Sequence, residues 1–227
     1  MLVALGVVIS PILRVEGMCP MAHFINIVCS VLLGPWYSLI CAVTIGIIRM
    51  MTMGIPPLAL TGAVFGAFLS GVFYRLSKGK IIFAVLGEII GTGFVGAIAS
   101  YPVMTFIMGK EGLSWLFYVP SFVCGTLIGG SIAYAFLRKM AGSGVLVKLQ
   151  TSLGSVGYTD KTSIVSNAVT VAALGVVFFV VIKVLTDMFK LEGNIWNISA
   201  YVSLAAFIVA AAVYFIVSKI KVAKKDG

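Results

Sequence analysis

Four polar residues that could do chemistry lie inside strongly apolar sequence. His23, the only histidine of the chain, is followed three residues later by Asn26, so the two side chains share one face of a helix. Arg49 and Glu88 each lie within a separate apolar run. A charge in the core of a bilayer costs roughly 2.5 kcal/mol or more, even on lenient insertion scales. Each of these side chains therefore needs a partner within the protein or a ligand.

Two interpretations stay open for each of these residues. His23 and Asn26 could hold a small polar heterocycle in an aromatic-lined pocket, or satisfy backbone carbonyls of neighbouring helices. Glu88 could be a ligand or coupling site, or a structural tie to a glycine-rich neighbour, and Thr92, one turn further on, can donate a hydrogen bond to it. Arg49 could extend to the outer headgroups, or turn inward to a ligand or to Glu88.

The sequence lacks the motifs of common enzymes and cofactor sites. It contains no H-E-x-x-H zinc motif, no G-x-S-x-G nucleophile turn and no Walker A loop. The four cysteines lie among apolar residues without a C-x-x-C pair, which is typical of packing rather than of a metal site. We therefore expect no enzyme, no catalytic residue, no metal and no cofactor. Any energy that the protein uses must come from another subunit or from an ion gradient.

The composition places the chain in a membrane. Apolar residues make up 61% of the 227 residues, charged residues make up 10%, and the mean hydropathy is +1.16, whereas soluble domains are about 25% charged. The net charge of +9 would suggest nucleic-acid binding in a soluble protein. Here the basic residues flank apolar runs, as topology determinants do. We expect an all-α integral membrane protein that binds no nucleic acid.

Eight apolar runs predict eight helices that position these residues. The first run has only thirteen residues, and about 20 are needed to cross a 30 Å hydrocarbon core. Gly34-Pro35 separates the second run from the third, because proline lacks an N–H and restrains the residue before it. Pro102 and nearby glycines predict a kink or a break in the fifth run. The runs cover residues 1–13, 20–33, 36–53, 58–74, 81–108, 113–137, 163–185 and 195–217.

The basic residues predict how this bundle is oriented. With both termini in the cytoplasm, the inner side carries eleven Lys or Arg and the outer side carries five, in agreement with the positive-inside rule. The inner bases are at positions 75, 78, 80, 138, 139, 148, 161, 219, 221, 224 and 225, and the outer ones are at 14, 49, 110, 183 and 190. Glu88 then lies near the middle of the membrane. The residues that converge on the outer leaflet are His23, Asn26, Arg49, Trp115 and Tyr118.

Several segments together resemble a known family. They are Pro20-Met21-Ala22-His23-Phe24-Ile25-Asn26, then Leu33-Gly34-Pro35-Trp36-Tyr37, Arg49, the glycine-rich helix from Gly62 to Arg75, and Gly87-Glu88-Ile89-Ile90-Gly91-Thr92-Gly93. In this order, over about residues 1–140, they are similar to the ThiW family. Members of this family are substrate-binding (S) components of energy-coupling factor (ECF) vitamin transporters.

The resemblance implies a six-helix S-component-like bundle over residues 1–140, to which two further C-terminal transmembrane helices are added. Residues 141–162 are then expected to be a cytoplasmic linker, and residues 163–227 a two-helix membrane extension with a basic tail. The implied substrate is a thiamin precursor, hydroxyethylthiazole, and the implied partners are a transmembrane coupling protein and two ATPases that use ATP. The alternatives are an S component for thiamin or a pyrimidine, a proton-coupled secondary transporter, and a membrane enzyme or structural subunit.

The resemblance also implies which residues bind substrate and which face the partner. The expected substrate-binding residues are His23, Asn26, Arg49, Glu88, Thr92, Trp115 and Tyr118. The first helix of S components docks on the coupling protein through small residues, and the Gly34-Pro35 corner falls on the same cytoplasmic side. The expected partner-facing residues are Ala4, Gly6, Ser10, Gly34, Pro35 and Trp36.

Overall fold

A computed structural model describes residues 1–14, 18–158, 164–188 and 194–223 of the chain. The residues described are helical, with no β-strand among them, so the all-α prediction is confirmed. The chain divides into two compact units, Met1–Asp160 and Lys161–Gly227. Four of the bases used to predict the orientation, Lys161, Lys190, Lys224 and Lys225, lie outside the described residues.

The first unit is a bundle of helices. Its first four are α1 (Leu2–Ile9), α2 (Pro20–Leu33), α3 (Pro35–Met53) and α4 (Leu58–Leu76). A continuous helical rod, Ile81–Ile107, follows. The rod consists of α5 (Ile81–Glu88), π-helical turns over Ile89–Gly96, α6 (Ala97–Pro102) and further π-helical turns over Val103–Ile107. The unit ends with α7 (Val119–Gly142) and the short α8 (Val145–Ser152).

The predicted corner between the second and third runs is present. Pro35 is the first residue of α3, where the missing N–H has no consequence for helical hydrogen bonding. Gly34 has a φ of +84°, which disfavours a residue with a side chain. The Arg75 guanidinium also fills the space where a Cβ of Gly34 would lie. Both constraints make glycine the residue that fits this corner.

Two of the predicted helix boundaries differ from the structure. The rod continues through Pro102 without the break that was one of the two expectations, and π-helical turns lie on both sides of the proline; a kink at this place stays a prediction. The sixth apolar run was expected to be helical from residue 113, but α7 begins at Val119. Residues 115–118 form turns instead, and Pro120 lies in the first turn of α7, where proline is favoured.

Close helix packing in the bundle depends on glycine. A Cβ on Gly87 would lie 2.5 Å from the Leu69 carbonyl oxygen, and a Cβ on Gly91 would lie 2.5 Å from that of Phe65. The rod therefore rests directly on the backbone of α4. A close approach of this kind brings polar groups of different helices within hydrogen-bond reach.

The bundle has two ends that can be identified by the contacts between its helices. At the Cys19 end, α2 and α7 begin and α3 finishes, and Arg49 near the end of α3 contacts Cys19. At the Gln150 end, α2, α4 and α7 finish, and Gln150 of α8 contacts the carbonyl oxygen of Val31 and the hydroxyl of Tyr74. The largest apolar core lies toward the Gln150 end and includes Ile27, Val31, Tyr74, Val85, Leu137 and Leu146.

The segment expected to be a linker belongs to the first unit through most of its length. Helix α7 extends to Gly142, and α8 begins three residues later. Leu146 and Gln150 of α8 are fully or almost fully buried. Residues 159–162 lie outside the described part.

The second unit contains two antiparallel helices, α9 (Ile164–Met188) and α10 (Asn194–Ala223). Phe178 stacks on Phe207 with ring centroids 5.2 Å apart, and Lys183 Nζ donates to Asn197 Oδ1 at 2.7 Å. Gly175 packs against Phe207, where a Cβ would lie 2.5 Å from the Phe207 Cβ.

Five helices in the described residues are long and apolar enough to cross a membrane. They are Pro35–Met53, Leu58–Leu76, Ile81–Ile107, Val119–Gly142 and Asn194–Ile220. Pro20–Leu33 and Asn167–Val180 are shorter apolar helices. The expected count of six plus two transmembrane helices therefore stays a prediction, whereas the multi-pass membrane architecture is confirmed.

Candidate functional site

Glu88 is the centre of a buried polar network between α2 and the rod. Its Oε1 atom lies 3.0 Å from His23 Nδ1, 3.0 Å from Asn26 Nδ2 and 3.0 Å from Thr92 Oγ1. The Glu88 and Thr92 side chains have no exposed surface, and Asn26 is 4% exposed. Removal of a carboxyl from water is unfavourable unless its oxygens accept hydrogen bonds. Oxygen Oε1 meets this need with three partners.

Local helix geometry brings these groups together. His23 and Asn26 are three residues apart in α2, and Glu88 and Thr92 are four apart in the rod, so each pair lies on one helical face. The predicted hydrogen bond from Thr92 to Glu88 is present. Thr92 Oγ1 also lies 3.0 Å from the Gly62 carbonyl oxygen, and its single hydroxyl proton can serve one of these acceptors at a time.

Glycines on two facing helices make room for the network. A Cβ on Gly66 of α4 would overlap Thr92 Oγ1 and would lie 2.6 Å from Glu88 Oε2. On α7, a Cβ on Gly125 would lie 3.1 Å from His23 Nε2, and a Cβ on Gly129 would lie 3.0 Å from the His23 Cβ. The network is therefore enclosed on one side by a glycine of α4 and on the other by two glycines of α7.

Two buried polar atoms near this site have no hydrogen-bond partner among the described residues. One is Glu88 Oε2, and the other is Arg49 Nε. Most buried polar atoms in native proteins are paired, so an unpaired one calls for an explanation, such as a functional role or a bound water or ion. A bound ligand would satisfy the same need.

Arg49 lies at the Cys19 end and is 3% exposed. Its Nη2 atom lies 3.1 Å from Cys19 Sγ, and the Cys19 thiol points to the carbonyl oxygen of Ser10 at 2.9 Å. The interpretation that Arg49 extends to the headgroups is wrong, because its side chain is buried. In the described residues it forms no ion pair with Glu88 or with another carboxylate.

Cys19 contacts Arg49 and lies near the Glu88 network. A Cβ on Gly125 would lie 3.1 Å from His23 Nε2 and 3.7 Å from the backbone nitrogen of Cys19. The second ring nitrogen of His23 and the backbone of Cys19 therefore both lie beside Gly125, and the Cys19 side chain contacts the Arg49 guanidinium. Cys19 was not among the predicted site residues, although its place directly before Pro20 and one turn before His23 could have indicated it.

The two aromatic residues predicted for the site have different surroundings. Tyr118 is buried and packs with Phe122, whose ring contacts Gly62 beside Thr92. Trp115 is 56% exposed and packs on Tyr101 with ring centroids 4.4 Å apart. Tyr118 is thus connected to the network through Phe122, whereas Trp115 lies on the surface of the bundle.

Most residues predicted to face a partner are covered by the chain itself. Gly6 packs against Ile45 and Ile25, and the Ser10 hydroxyl donates to the Gly6 carbonyl oxygen. The exposed members of the predicted set are Ala4 and Trp36, and the buried ones are Gly6, Ser10, Gly34 and Pro35.

A second group of hydrogen bonds between helices was not predicted from the sequence. Ser30 Oγ and Ser38 Oγ both lie within hydrogen-bond distance of the Ala67 carbonyl oxygen, at 2.7 and 2.9 Å. Ser30 Oγ also lies 2.7 Å from the carbonyl oxygen of Asn26. These contacts hold α2, α3 and α4 together next to Asn26, and short serines in helices rich in apolar residues are their only sequence signal.

The helices and the enclosed polar network define a multi-pass membrane protein with an interior polar site. A family model described as thiamine-precursor transporter protein (ThiW) matches residues 1–143. The chain therefore belongs to the ThiW family, which is a family of transporters. No curated protein and no solved structure matches the chain. The described residues contain no group of three or more side chains arranged to hold a metal ion.

Proposed function

We propose that this protein is the substrate-capture subunit of an energy-coupling factor importer and that it binds hydroxyethylthiazole at the Cys19 end. The main supporting observation is the Glu88 network, in which three side chains lie within hydrogen-bond distance of one carboxylate oxygen beside the N-terminus of α2. Membership of a thiamine-precursor transporter family supports the substrate class. Delivery to the cytoplasm is proposed to use ATP hydrolysis by two partner ATPases through a coupling protein.

The chemistry of His23 and Arg49 matches the groups of this substrate. An ionised Glu88 can only accept a hydrogen bond, so His23 Nδ1 donates to it. In a neutral imidazole, Nε2 then carries a lone pair and accepts. Arg49 Nε carries an unpaired N–H. Hydroxyethylthiazole has a hydroxyl that can donate to Nε2 and a ring nitrogen that can accept from Arg49.

The roles of the remaining residues follow from their positions. Asn26 and Thr92 position the Glu88 carboxylate, and Glu88 in turn fixes the orientation of the His23 ring. Tyr118 packs on Phe122, and together they form an apolar wall of the site. Trp115, with 56% of its surface exposed, is proposed to contact the ligand only at the mouth of the site. The Cys19 end is proposed to face outward and both termini to face the cytoplasm, as the distribution of basic residues indicates.

Calorimetric titration of the purified full-length protein with hydroxyethylthiazole tests this proposal. We expect His23→Ala and Arg49→Gln each to weaken binding by about 10- to 100-fold, because each removes a hydrogen bond that involves a charged or fixed group worth about 1.5–3 kcal/mol. Arg14→Gln is the matched control, since Arg14 is exposed, and it should leave binding unchanged. Failure of hydroxyethylthiazole, thiamin and the pyrimidine precursor to bind would contradict the proposal.

A transport assay separates the energy sources. Uptake of the labelled ligand by cells should require the coupling protein and both ATPases. Uptake that persists without these partners, and that stops when an uncoupler is added, would instead favour a proton-coupled secondary transporter with Glu88 as the proton-carrying group.

A further inference from the structure

We propose that α8 and the turn after it form a binding site for anionic lipid headgroups at the membrane surface. This site lies beyond residues 1–143, and it is independent of the ligand at the Cys19 end. Three observations support it: α8 is held in one orientation, it exposes apolar side chains, and its one charged residue, Lys148, is basic.

The Gln150 side chain holds α8 in place through hydrogen bonds to α2 and α4. Its Nε2 atom donates to the Val31 carbonyl oxygen at 2.8 Å and to Tyr74 Oη at 3.0 Å, and the Gln150 side chain is fully buried. Val31 lies in the last turn of α2, which ends at Leu33, and the carbonyls of a last turn have no partner within their own helix. Gln150 donates to this carbonyl, so the faces of α8 are fixed relative to the bundle.

A second face of α8, beside the buried one, presents apolar side chains outward. Val145 is 43% exposed and Leu149 is 38% exposed, and Leu153 in the following turn is 48% exposed. Ile132 and Phe136 on α7 are exposed as well. Helix α7 is long and apolar enough to cross a membrane, and α8 begins three residues after α7 ends, so α8 lies next to the membrane surface. The bilayer is therefore the occupant that fits the exposed apolar side chains of α8.

The charges at this place complement an anionic membrane. Lys139 at the end of α7 and Lys148 in α8 are both exposed. The sequence contains no Asp or Glu between Glu111 and Asp160, so no acidic side chain of this segment opposes these bases. A Lys near an anionic surface contributes about 1 kcal/mol of attraction. Apolar side chains next to exposed lysines are the pattern of a helix that lies in the headgroup region.

A photo-crosslinking experiment on the full-length protein tests the contact with lipid. The probe is p-benzoylphenylalanine at Leu149, in nanodiscs that contain phosphatidylglycerol and phosphatidylcholine. The matched control carries the same probe at Thr151, which is exposed on the other side of α8. We expect a lipid adduct at position 149 and at least fivefold less at position 151. Equal yields at the two positions, or a crosslink from position 149 to a second protein chain, would overturn the proposal.

A lipid-retention experiment tests the charge. Native mass spectrometry counts the phosphatidylglycerol molecules that stay bound to the full-length protein after release from nanodiscs. Lys148→Gln should lower their retention about fivefold and leave phosphatidylcholine retention unchanged. Lys110→Gln, at another exposed lysine, is the control and should have no effect on either lipid. Identical retention in the Lys148 and Lys110 variants would refute an anionic-lipid site on α8.

Discussion

Gly66→Ala is the substitution that tests most directly whether the Glu88 network holds the bundle together. The added Cβ would overlap Thr92 Oγ1 and would lie 2.6 Å from Glu88 Oε2 and 2.8 Å from Glu88 Cδ. Overpacking of this kind costs about 1–3 kcal/mol. A displaced Glu88 or Thr92 also weakens at least one hydrogen bond, worth about 1 kcal/mol. We therefore expect a loss of about 2–4 kcal/mol in the free energy of unfolding.

Unfolding of the purified protein in mixed detergent micelles, followed by circular dichroism, measures this loss. Gly142→Ala is the matched control, because Gly142 is also helical and no atom outside its own stretch of helix lies within 4 Å of its Cβ position. It should leave stability unchanged or raise it by up to about 1 kcal/mol, through the higher helix propensity of alanine. Equal effects of Gly66→Ala and Gly142→Ala would show that the network tolerates a methyl group and that the packing argument is wrong.

A double-mutant cycle with Thr92→Ala shows whether the clash is with the Thr92 hydroxyl. Thr92→Ala removes the nearest obstacle, together with one hydrogen bond. In that background Gly66→Ala should cost at least about 1 kcal/mol less than it does in the unmodified chain, because neighbouring sites are coupled. If the two losses add within about 0.5 kcal/mol, the two residues act independently and the geometry proposed for the site is refuted.

Two further predictions concern the Gln150 end. Gln150→Leu should lower the free energy of unfolding by about 1–3 kcal/mol, because the Val31 carbonyl loses its donor in a buried position. The exposed control Thr151→Ala should change it by less than about 0.5 kcal/mol. Equal melting temperatures of the two variants would contradict the role of Gln150 as the donor to Val31. A chain that ends at residue 160, which contains the whole first unit, should still bind hydroxyethylthiazole. A chain that ends at residue 143 should melt at a lower temperature than this longer chain. The reverse order of melting temperatures would mean that α8 does not stabilise the bundle.

The local features of the site could be predicted from the sequence, because they depend on helical periodicity. The shared face of His23 and Asn26 and the hydrogen bond between Thr92 and Glu88 both follow from spacings of three and four residues. The pairing of His23 with Glu88 spans 65 positions. No spacing rule indicates such a contact, and only the cost of a buried charge showed that Glu88 needed several donors.

The side-chain direction of Arg49 could not be predicted from its position in an apolar run. A long side chain near the end of a helix can reach the headgroups or fold inward at a similar depth. The outcome depends on what the neighbouring helix offers. Here the N-terminal residue before α2, Cys19, accepts from the guanidinium, and the side chain becomes buried.

The helix over residues 145–152 was not predicted, because its composition resembles that of a loop and only two of its residues face the bundle. Glycines at positions 142, 144 and 154 and several polar residues are typical of a loop. Only Leu146 and Gln150, one turn apart, face the bundle. The need that Gln150 meets is set by the end of α2 at Leu33, which is more than a hundred positions away. Every helix end leaves carbonyls without a partner in the helix, but the sequence does not indicate which distant side chain donates to them.

Glycines and buried polar residues lie next to one another in this bundle. A hydrogen bond between side chains of neighbouring helices requires their backbones to approach closely, and glycines permit this at Gly66, Gly87 and Gly91. A larger residue at these positions would separate α4 from the rod and leave Glu88 buried with fewer donors. The buried carboxylate therefore depends on the glycines that let its helix approach α4. A substitution that keeps the polar residues but adds volume at Gly66 should disturb the site as much as removal of a hydrogen-bond partner does.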